Sequence, residues 1–320
     1  MREVVEEITR DGGTADAFEA DVGDAKAMRA AAAHAVQRFG RIDTWVNDAG
    51  VAIYAKLLET PEDEHQRLFQ TNYFGVVHGC EAAVPALIRQ GGALITVGSI
   101  ASDMPAPIQG AYSASKHAIK AYVSVLRMEL MQEGAPISVT LIKPSGIDTP
   151  IGQHAANHEG GEAQVPPPIY NPDLVAEAIL DSAVHPRREL TVGGGGRMQA
   201  LFSQHFKGLY EKLAPGAASA TFVDRDRAQP QPSNLFEGVR AGEVRSGEHA
   251  AKPFSLYTAA ATHPKTTAAI GLGALIAGAS LLLFRGDAEQ QREQQPLAPM
   301  DPENDAVVEI RVVEELVELS

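Results

Sequence analysis

Tyr112 and Lys116 lie four positions apart in the stretch GAYSASKHAIKAY (110–122). On an α-helix, residues with this spacing lie one turn apart on the same face. A lysine ammonium so placed would stabilise the tyrosinate, and the phenol could then exchange a proton with a substrate near neutral pH. Such pairs also arise by chance in a chain with 7 tyrosines. The pair therefore predicts chemistry only if other residues support it.

Two further polar residues occupy positions suited to a site. Ser99 ends the apolar run 93–99, which predicts a buried strand, so its hydroxyl lies at a strand's carboxyl end, where open α/β sheets bind ligands. Asn72 falls inside a helix predicted over 61–90, where an amide that competes for backbone hydrogen bonds is mildly unfavourable. Each residue alone also fits a purely structural role. Together with the tyrosine–lysine pair they predict a catalytic set.

Predicted helices and strands alternate along the chain. The helices are predicted at 1–11, 24–40, 61–90, 109–133, 172–184 and 197–213, and the strands at 17–22, 42–48, 93–99, 137–144 and 188–192. This alternation predicts βαβ units and a Rossmann-like, doubly wound α/β fold with a parallel sheet. The glycine- and proline-rich run 151–170 is typical of a lid over a site, and GGGG at 193–196 is expected to end the α/β pattern.

The motifs VNDAG, TNYFGVVHG, ITVGSIAS, YSASK and KPSGIDTP resemble successive signatures of the short-chain dehydrogenase/reductase family, over about residues 1–195. The resemblance implies a catalytic set of Asn72, Ser99, Tyr112 and Lys116. In this set Tyr112 exchanges a proton with the substrate oxygen, and Ser99 hydrogen-bonds the same oxygen. Lys116 stabilises the tyrosinate and contacts the nicotinamide ribose, and Asn72 holds a water of a proton relay. The implied cofactor is NAD or NADP, and the implied substrate is a small carbonyl compound or alcohol.

The same resemblance implies which residues contact the cofactor. They are Asp21 and Val22 at the adenine, Asn47, Ala49 and Gly50 at the adenine ribose, and Pro144, Gly146, Ile147 and Thr149 at the nicotinamide, together with Tyr112 and Lys116. Asp48 departs from the Asn-Asn-Ala-Gly sequence that is usual in the family.

The family begins with a strand, a glycine-rich turn of the form TGxxxGIG and a helix whose N-terminus receives the cofactor phosphates. MREVVEEITRDGG (1–13) does not match this pattern. We therefore expect the first βαβ portion to be missing. The phosphate cradle and the residue that distinguishes NAD from NADP would be missing with it. Two explanations stay open: a fragment or wrongly chosen start methionine, and a shortened protein of reduced cofactor affinity and activity.

Composition excludes several functional classes. A net charge of −14 argues against a nucleic-acid partner, because phosphate binding needs a basic face. Cys80 is the single cysteine, so no internal disulfide is expected and a reducing, cytoplasmic compartment fits. The ten histidines show no metal-ligand spacing, so we expect no metal site. The charged residues 1–13 do not form a signal peptide.

The part of the chain beyond the Rossmann domain (1–195) has a different composition. It predicts a helical extension (196–225), a disordered linker (226–264), a transmembrane helix (265–285) and an acidic tail (286–320). The uncharged run 266–284 would span roughly 28 Å as a helix, close to the thickness of a bilayer's hydrocarbon core. It predicts a single-pass membrane anchor, and a surface segment rich in alanine and glycine is the alternative.

The main functional hypothesis is an NAD(P)-dependent oxidoreductase that interconverts a carbonyl and an alcohol. One alternative is a non-catalytic, membrane-tethered remnant of the same fold, and another is a 3-oxoacyl thioester reductase whose substrate is selected by the run 151–170. The resemblance also implies a homo-oligomer, because such enzymes pair through the helices predicted here at 61–90 and 109–133.

Overall fold

A computed structural model of the chain describes residues 1–230, 232–238, 242–263 and 267–268. The chain divides into two units, Met1–Pro264 and Lys265–Ser320, and the fold given below is that of the first. Apart from 267–268, the predicted transmembrane helix 265–285 and the acidic tail 286–320 lie outside the described residues. Within the described ranges, no helix has both the length and the apolar character needed to cross a bilayer.

A four-stranded sheet forms the centre of the fold. The strands among the described residues are β1 (Thr44–Asn47), β2 (Ile53–Tyr54), β3 (Gly92–Val97), β4 (Ile137–Pro144), β5 (Gly146–Ile147), β6 (Ala156–Asn157), β7 (Glu162–Ala163), β8 (Ile169–Tyr170), β9 (Glu189–Val192) and β10 (Val223–Asp224). The sheet has the order β1-β3-β4-β9, and all its neighbours run parallel. The carboxyl ends of its strands therefore meet at one edge.

Helices connect and cover these strands. They are α1 (Arg2–Arg10), α2 (Ala25–Phe39), α3 (Glu62–Phe69), α4 (Gly75–Leu87), α5 (Gly110–Gln132), α6 (Asp173–Val184), α7 (Gly194–His205), α8 (Lys207–Thr221) and α9 (Leu256–Thr262). The ends of α2 follow the sequence signals. Asp24 accepts a hydrogen bond from the Lys26 N–H (2.7 Å) at the first turn, and Gly40 ends the helix with a φ of 84°.

The sheet is covered on both faces, which confirms the predicted Rossmann-like α/β class. Successive strand residues point to opposite faces. Leu94 and Leu141 accordingly pack with α4 and α5 on one face. Ile95 and Ile142 pack with α6 on the other. A strand buried on both faces needs a continuous apolar run, as the sequence of β3 shows.

The strand predicted at 17–22 is wrong, because residues 17–21 have no regular secondary structure and Val22 lies in a turn. Backbone groups form a strand only when a neighbouring strand pairs with them. The sheet ends at β1, and no described strand lies on its outer side. Instead, the side chain of Asp21 accepts a hydrogen bond from the Gly23 N–H (2.8 Å), which turns the chain toward α2.

The helix predicted over 61–90 is interrupted. It consists of α3, a π-helical turn at Gln70–Phe74, and α4, which ends at Leu87. A π-turn inserts one extra residue into a helical turn and is common at functional sites. Asn72 lies within it, so this asparagine is not an ordinary helix residue.

The glycines at 193–196 begin a helix and do not end the pattern, contrary to the prediction. A side chain at Gly196 would place its Cβ 2.3 Å from Ser145 Cβ, so only glycine allows α7 to start this close to the end of β4. The first amide groups of the helix are hydrogen-bonded by side chains, and the Gly195 N–H, for example, donates to Tyr170 Oη (3.1 Å).

The described part of 226–264 lies against residues 1–195 of the same unit, whereas the sequence predicts a disordered linker there. Leu235 is buried in an apolar cluster, and its carbonyl accepts a hydrogen bond from Arg67 Nε (3.0 Å). Thr258 of α9 accepts a hydrogen bond from the Gly193 N–H (3.0 Å). Contacts with distant segments order these residues, and such contacts leave no periodicity in a polar sequence.

Candidate active site

Tyr112 and Lys116 lie on the first two turns of α5. Lys116 Nζ is 5.6 Å from the centre of the Tyr112 ring. The lysine side chain is buried, and Nζ donates a hydrogen bond to the carbonyl of Val97, the last residue of β3 (3.2 Å). The pair is therefore held at the carboxyl edge of the sheet.

Ser99 reaches the same edge from β3. It is the N-cap of a short 3-10 turn at Ile100–Ser102, and its Oγ accepts a hydrogen bond from the Ala101 N–H (3.0 Å). Because the oxygen accepts in this contact, the hydroxyl hydrogen remains able to donate to a ligand oxygen.

The side chain of Asn72 joins two parts of the site. Its Oδ1 accepts from the Val51 N–H (2.9 Å), and its Nδ2 donates to the Val51 carbonyl (3.0 Å) and to Ser115 Oγ (3.1 Å). Ser115 Oγ in turn donates to the Tyr112 carbonyl (2.8 Å). The amide thus connects the loop after β1 with α5. Both polar atoms of the Asn72 side chain are thus already hydrogen-bonded. The water expected in the proton relay would therefore have to bind a different atom of this residue.

A cavity of about 390 Å³ opens at the carboxyl edge of the sheet. Its volume lies within the range of about 300–1,000 Å³ usual for ligand sites. Eight of the residues assigned from the sequence line it: Gly50, Ser99, Tyr112, Lys116, Pro144, Gly146, Ile147 and Thr149. The structure therefore brings the serine, tyrosine and lysine together with the residues that the resemblance assigns to the nicotinamide.

The other five assigned residues, Asp21, Val22, Asn47, Ala49 and Asn72, are not part of the cavity wall. The Asp21 carboxylate accepts a hydrogen bond from Arg67 Nη1 (3.0 Å). Asn47 Oδ1 accepts one from Trp45 Nε1 (2.8 Å) within β1, and its Nδ2 donates to Cys80 Sγ and Thr96 Oγ1 (both 3.4 Å), so this side chain joins β1 to α4 and β3. Of the residues assigned to the adenosine half of the cofactor, Gly50 alone reaches the cavity.

Several lining residues had no role in the sequence prediction. Tyr54, Ile151 and Phe222 line the cavity and pack in one apolar cluster with Tyr112. Tyr54 belongs to the apolar run VAIYA (51–55), which signals burial but not a site. Phe222 follows α8 and lies 110 positions from Tyr112, so no local pattern could have linked the two.

The run 151–170 is not a free lid. It contains β6, β7 and β8, which pair with β2, β10 and β5 respectively. Ile151 and Val165 from this run contribute to the cavity wall. The Gln164 carbonyl accepts a hydrogen bond from Tyr54 Oη (3.2 Å), which fixes the run against β2.

The two tyrosines at the cavity differ in their electrostatic surroundings. Burial raises the pKa of Tyr54, the proximity of Tyr112 raises it further, and a hydrogen bond with Gln109 opposes them only in part. The tyrosinate form of Tyr54 is therefore disfavoured.

The loop between Ser99 and α5 is fixed by charge. Burial would raise the pKa of Asp103, but hydrogen bonds from Lys120 and Lys143 outweigh it and hold that pKa below its ordinary value.

Further along the loop, Ile108 adopts a φ of 57°, which is rare for a β-branched residue. Its carbonyl accepts a hydrogen bond from the Ala55 N–H (2.8 Å), so tertiary contacts hold the unusual backbone just before α5.

Comparison with known proteins agrees with this arrangement. A family model described as short chain dehydrogenase matches residues 1–160. An uncharacterised oxidoreductase of Bacillus subtilis, YxnA, is 34% identical over 285 residues, which is 85% of this chain and 78% of that protein. Dehydrogenase/reductase SDR family member 7B of Bos taurus is 36% identical over 214 residues, which is 65% of this chain and 63% of that protein.

Solved structures show the same fold. An alcohol dehydrogenase from Thermococcus sibiricus, complexed with 5-hydroxy-NADP, superposes with a TM-score of 0.52 at 24% identity, over 60% of this chain and 80% of its own. A short chain dehydrogenase from Burkholderia cenocepacia J2315 in complex with NADP superposes with a TM-score of 0.52 at 26% identity, over 61% of this chain and 77% of its own.

The fold, the motifs and these similarities define an oxidoreductase of the α/β class. The chain belongs to the short-chain dehydrogenase/reductase family.

Proposed function

We propose that this protein interconverts a carbonyl compound and the corresponding alcohol, using NAD or NADP, with Tyr112 as the proton donor and acceptor. The observation that carries the proposal is the cavity at the carboxyl edge of the sheet. Its wall contains the phenol of Tyr112, the ammonium of Lys116 and the hydroxyl of Ser99, three groups suited to a reacting carbonyl.

The residues of this cavity fit the nicotinamide half of the cofactor. Lys116 and Thr149 supply donors for ribose hydroxyls and for the carboxamide, and Pro144 and Ile147 supply an apolar surface for the ring. When bound, the cofactor supplies or accepts the hydride at the substrate carbon. Both NADP and NAD should be tested as the cofactor of this protein. NADP is tested first, because the Burkholderia relative is in complex with NADP.

The chain's own residues account for the proton. During reduction, Tyr112 donates its phenolic proton to the substrate oxygen, and the Ser99 hydroxyl donates a hydrogen bond to that oxygen as charge develops on it. The positive charge of Lys116 favours the tyrosinate that results. Asn72 acts at a distance by holding the Tyr112 turn through Ser115. One hydride and one proton convert the carbonyl to the alcohol.

Tyr54 is the other phenol at the cavity, and two observations argue against it as the acid. Its raised pKa disfavours the tyrosinate form that a proton donor must reach. Its hydroxyl also donates to the Gln164 carbonyl, within the fold. Tyr112 has the neighbouring ammonium that Tyr54 lacks among the described residues.

The outer edge of β1 bears on cofactor affinity. No described strand pairs with this edge, and an unpaired edge is ready to accept another strand. In the family resemblance, a strand followed by the glycine-rich phosphate turn comes before the residues that match here. We propose that such a strand, from outside the described residues, pairs with β1 and supplies contacts to the cofactor phosphates.

The test is reduction of a carbonyl substrate by NADPH and NADH, in the given chain and in a chain extended by its in-frame upstream codons. Tyr112→Phe should lower kcat about 10²- to 10⁴-fold, as expected for loss of a general acid. Nucleotide binding, followed by nicotinamide fluorescence, should be retained. Tyr122→Phe is the matched control, because Tyr122 lies on the same helix but does not line the cavity. Full turnover by Tyr112→Phe refutes the mechanism.

Nucleotide binding also decides between the two explanations for the front of the sequence. Binding that appears only in the extended chain supports the missing phosphate cradle. Failure of both chains to bind either nucleotide supports the alternative, a non-catalytic remnant of the fold.

A further inference from the structure

The cavity wall carries few charges. Of the described residues that line it, Asp48 and Lys116 alone have charged side chains. Lys116 is next to the Tyr112 ring and donates to the Val97 carbonyl, so it belongs to the reacting end. Asp48 is exposed and negative. An anionic substituent on a substrate would therefore meet a carboxylate and, on the described wall away from Lys116, no cation.

The wall next to Tyr112 is apolar. Tyr54, Ala106, Ile151 and Phe222 pack in one cluster with Tyr112 and also line the cavity. The rings of Tyr54 and Phe222 meet edge to face, with their centroids 6.3 Å apart and an interplanar angle of 72°. Covering such a surface with apolar groups of a ligand removes it from water, which lowers the free energy of the complex.

Among the described side chains that belong to this cluster and line the cavity, the hydroxyl groups of Tyr54 and Tyr112 are the polar groups. The Tyr54 hydroxyl already has a hydrogen-bond partner. Tyr54 Oη donates to the Gln164 carbonyl within the fold. Gln109, a neutral amide hydrogen-bonded to Tyr54, also lines the cavity, but it offers no charge. A charged substituent placed against this wall would therefore lose its hydration without gaining an ion-pair partner, which is costly.

We propose that the substrate is a neutral ketone or aldehyde, or the corresponding alcohol, whose apolar substituent packs against Tyr54, Ile151 and Phe222. The reacting carbonyl rests on the proposed function, in which a reduced nicotinamide nucleotide gives a hydride to the carbon and Tyr112 gives a proton to the oxygen. The nature of the substituent rests on the wall alone. Because Phe222 follows α8, the part of the chain beyond residue 195 takes part in selecting the substrate.

A matched pair of ligands tests the substituent without turnover. 4-Methylacetophenone and 4-acetylbenzoate differ in a methyl group against a carboxylate at the same ring position. Binding of each to the full chain is measured by saturation-transfer NMR with competition. The neutral ketone should bind at least tenfold more tightly. Equal or tighter binding of 4-acetylbenzoate overturns the proposal.

A substitution that adds a positive charge and reverses the preference between the two ligands would show which wall contacts the substituent. Ile151→Arg should weaken binding of 4-methylacetophenone at least tenfold and strengthen that of 4-acetylbenzoate, because it adds a cation where the substituent lies. Val184→Arg is the control, since Val184 is exposed at the end of α6 and does not line the cavity. An unchanged preference in a folded Ile151→Arg protein, checked by circular dichroism, overturns the assignment of this wall.

A second variant covers the case in which Ile151→Arg does not fold. Phe222→Leu keeps an apolar side chain but removes the ring, and it should weaken 4-methylacetophenone binding at least threefold. No change in that affinity overturns the packing on Phe222.

Turnover separates this inference from the proposed function. If the cofactor-bound protein binds the neutral ketone but does not reduce it, the oxidoreductase mechanism fails and the binding preference stands. If it reduces 4-acetylbenzoate faster than the neutral ketone, the mechanism stands and the proposed substrate class is wrong.

Discussion

Asp103 Oδ2 lies 2.6 Å from Lys143 Nζ, and both side chains are buried. Asp103 also forms an ion pair with Lys120 of α5, and Lys143 forms a second one with Glu189 of β9 (2.6 Å). These contacts join the loop after β3, the helix of the proposed catalytic tyrosine, and the strand that leads into Pro144. The network therefore fixes the relative positions of the elements that form the cavity.

Breaking this network should destabilise the fold strongly. Asp103→Asn leaves Lys143 with Glu189 as its remaining partner, and Lys143→Met leaves Asp103 with Lys120. We therefore expect a loss of about 3 kcal/mol in the free energy of unfolding, at the low end for a broken buried pair. Lys143→Arg keeps the charge and should recover part of that loss. The measurement is urea unfolding followed by circular dichroism.

An exposed ion pair provides the comparison for Asp103. Lys56 and Glu59 lie 2.9 Å apart, and both side chains are more than half exposed. Lys56→Met should cost far less than Asp103→Asn, because solvent screens an exposed ion pair. If Asp103→Asn costs no more than Lys56→Met, the buried network does not stabilise the fold as described.

The same network predicts a dependence of stability on pH. Lys120 and Lys143 hold the pKa of Asp103 in the folded protein below the ordinary 3.8, even though burial opposes them. The carboxylate therefore stabilises the fold fully above about pH 4, and this contribution is lost as the pH falls through the lowered pKa. The difference in unfolding free energy between the original chain and Asp103→Asn should shrink in acid, measured from pH 7 to pH 3. A difference that stays constant over that range contradicts the assignment.

The buried amide of Asn72 should be more important for stability than its position in a helix suggests. Asn72→Ala removes both partners of the Val51 backbone groups, and each buried group left unsatisfied costs about 1–3 kcal/mol. We expect a loss of about 2–4 kcal/mol in chemical unfolding, together with lower kcat in the extended chain. Asn171→Ala serves as the control, because the hydrogen bond from the Asp173 N–H to Asn171 Oδ1 is exposed to solvent. Equal losses in the two variants would show that the Asn72 bridge has no special role.

An apolar stripe on α5 supports the expectation of a homo-oligomer. Val125, Met128 and Met131 are 47%, 57% and 71% exposed, and their spacing places them on neighbouring turns of one face. We propose that a second copy of the chain covers them, so Met128→Asp should shift the protein toward monomer in size-exclusion chromatography with light scattering. Met198→Asp, at an exposed position of α7, is the control. A monomeric original chain at micromolar concentration refutes the proposal.

Local sequence signals were sufficient where an element is built from its own residues. The strand predicted at 137–144 is present as Ile137–Pro144, and the helix predicted at 109–133 is present as Gly110–Gln132. Continuous apolar runs and helix-terminal residues report burial and backbone conformation directly. The motifs around Tyr112, Ser99 and Lys116 likewise indicated the family and a site at the carboxyl edge of the sheet.

The sequence misled where an element depends on a partner. The run 17–22 has strand-forming residues, but a strand also needs a neighbour, and the sheet ends at β1. The polar run 226–264 has no periodicity, yet Leu235 and Thr258 within it make specific contacts with residues of the Rossmann domain (1–195). Neither the missing partner nor the long-range contact is visible in a local window.

By itself, the amino-acid sequence determined the fold class, the order of the main helices and strands, and the residue types that can exchange a proton with a carbonyl compound. These properties follow from periodicity and from motifs that are continuous in the chain. Only the tertiary structure decided that Tyr54, Ile151 and Phe222 form a wall beside Tyr112, and that Asn72 and Asp103 fix the elements around the cavity. Those relationships join residues far apart in sequence, and packing alone brings them into contact.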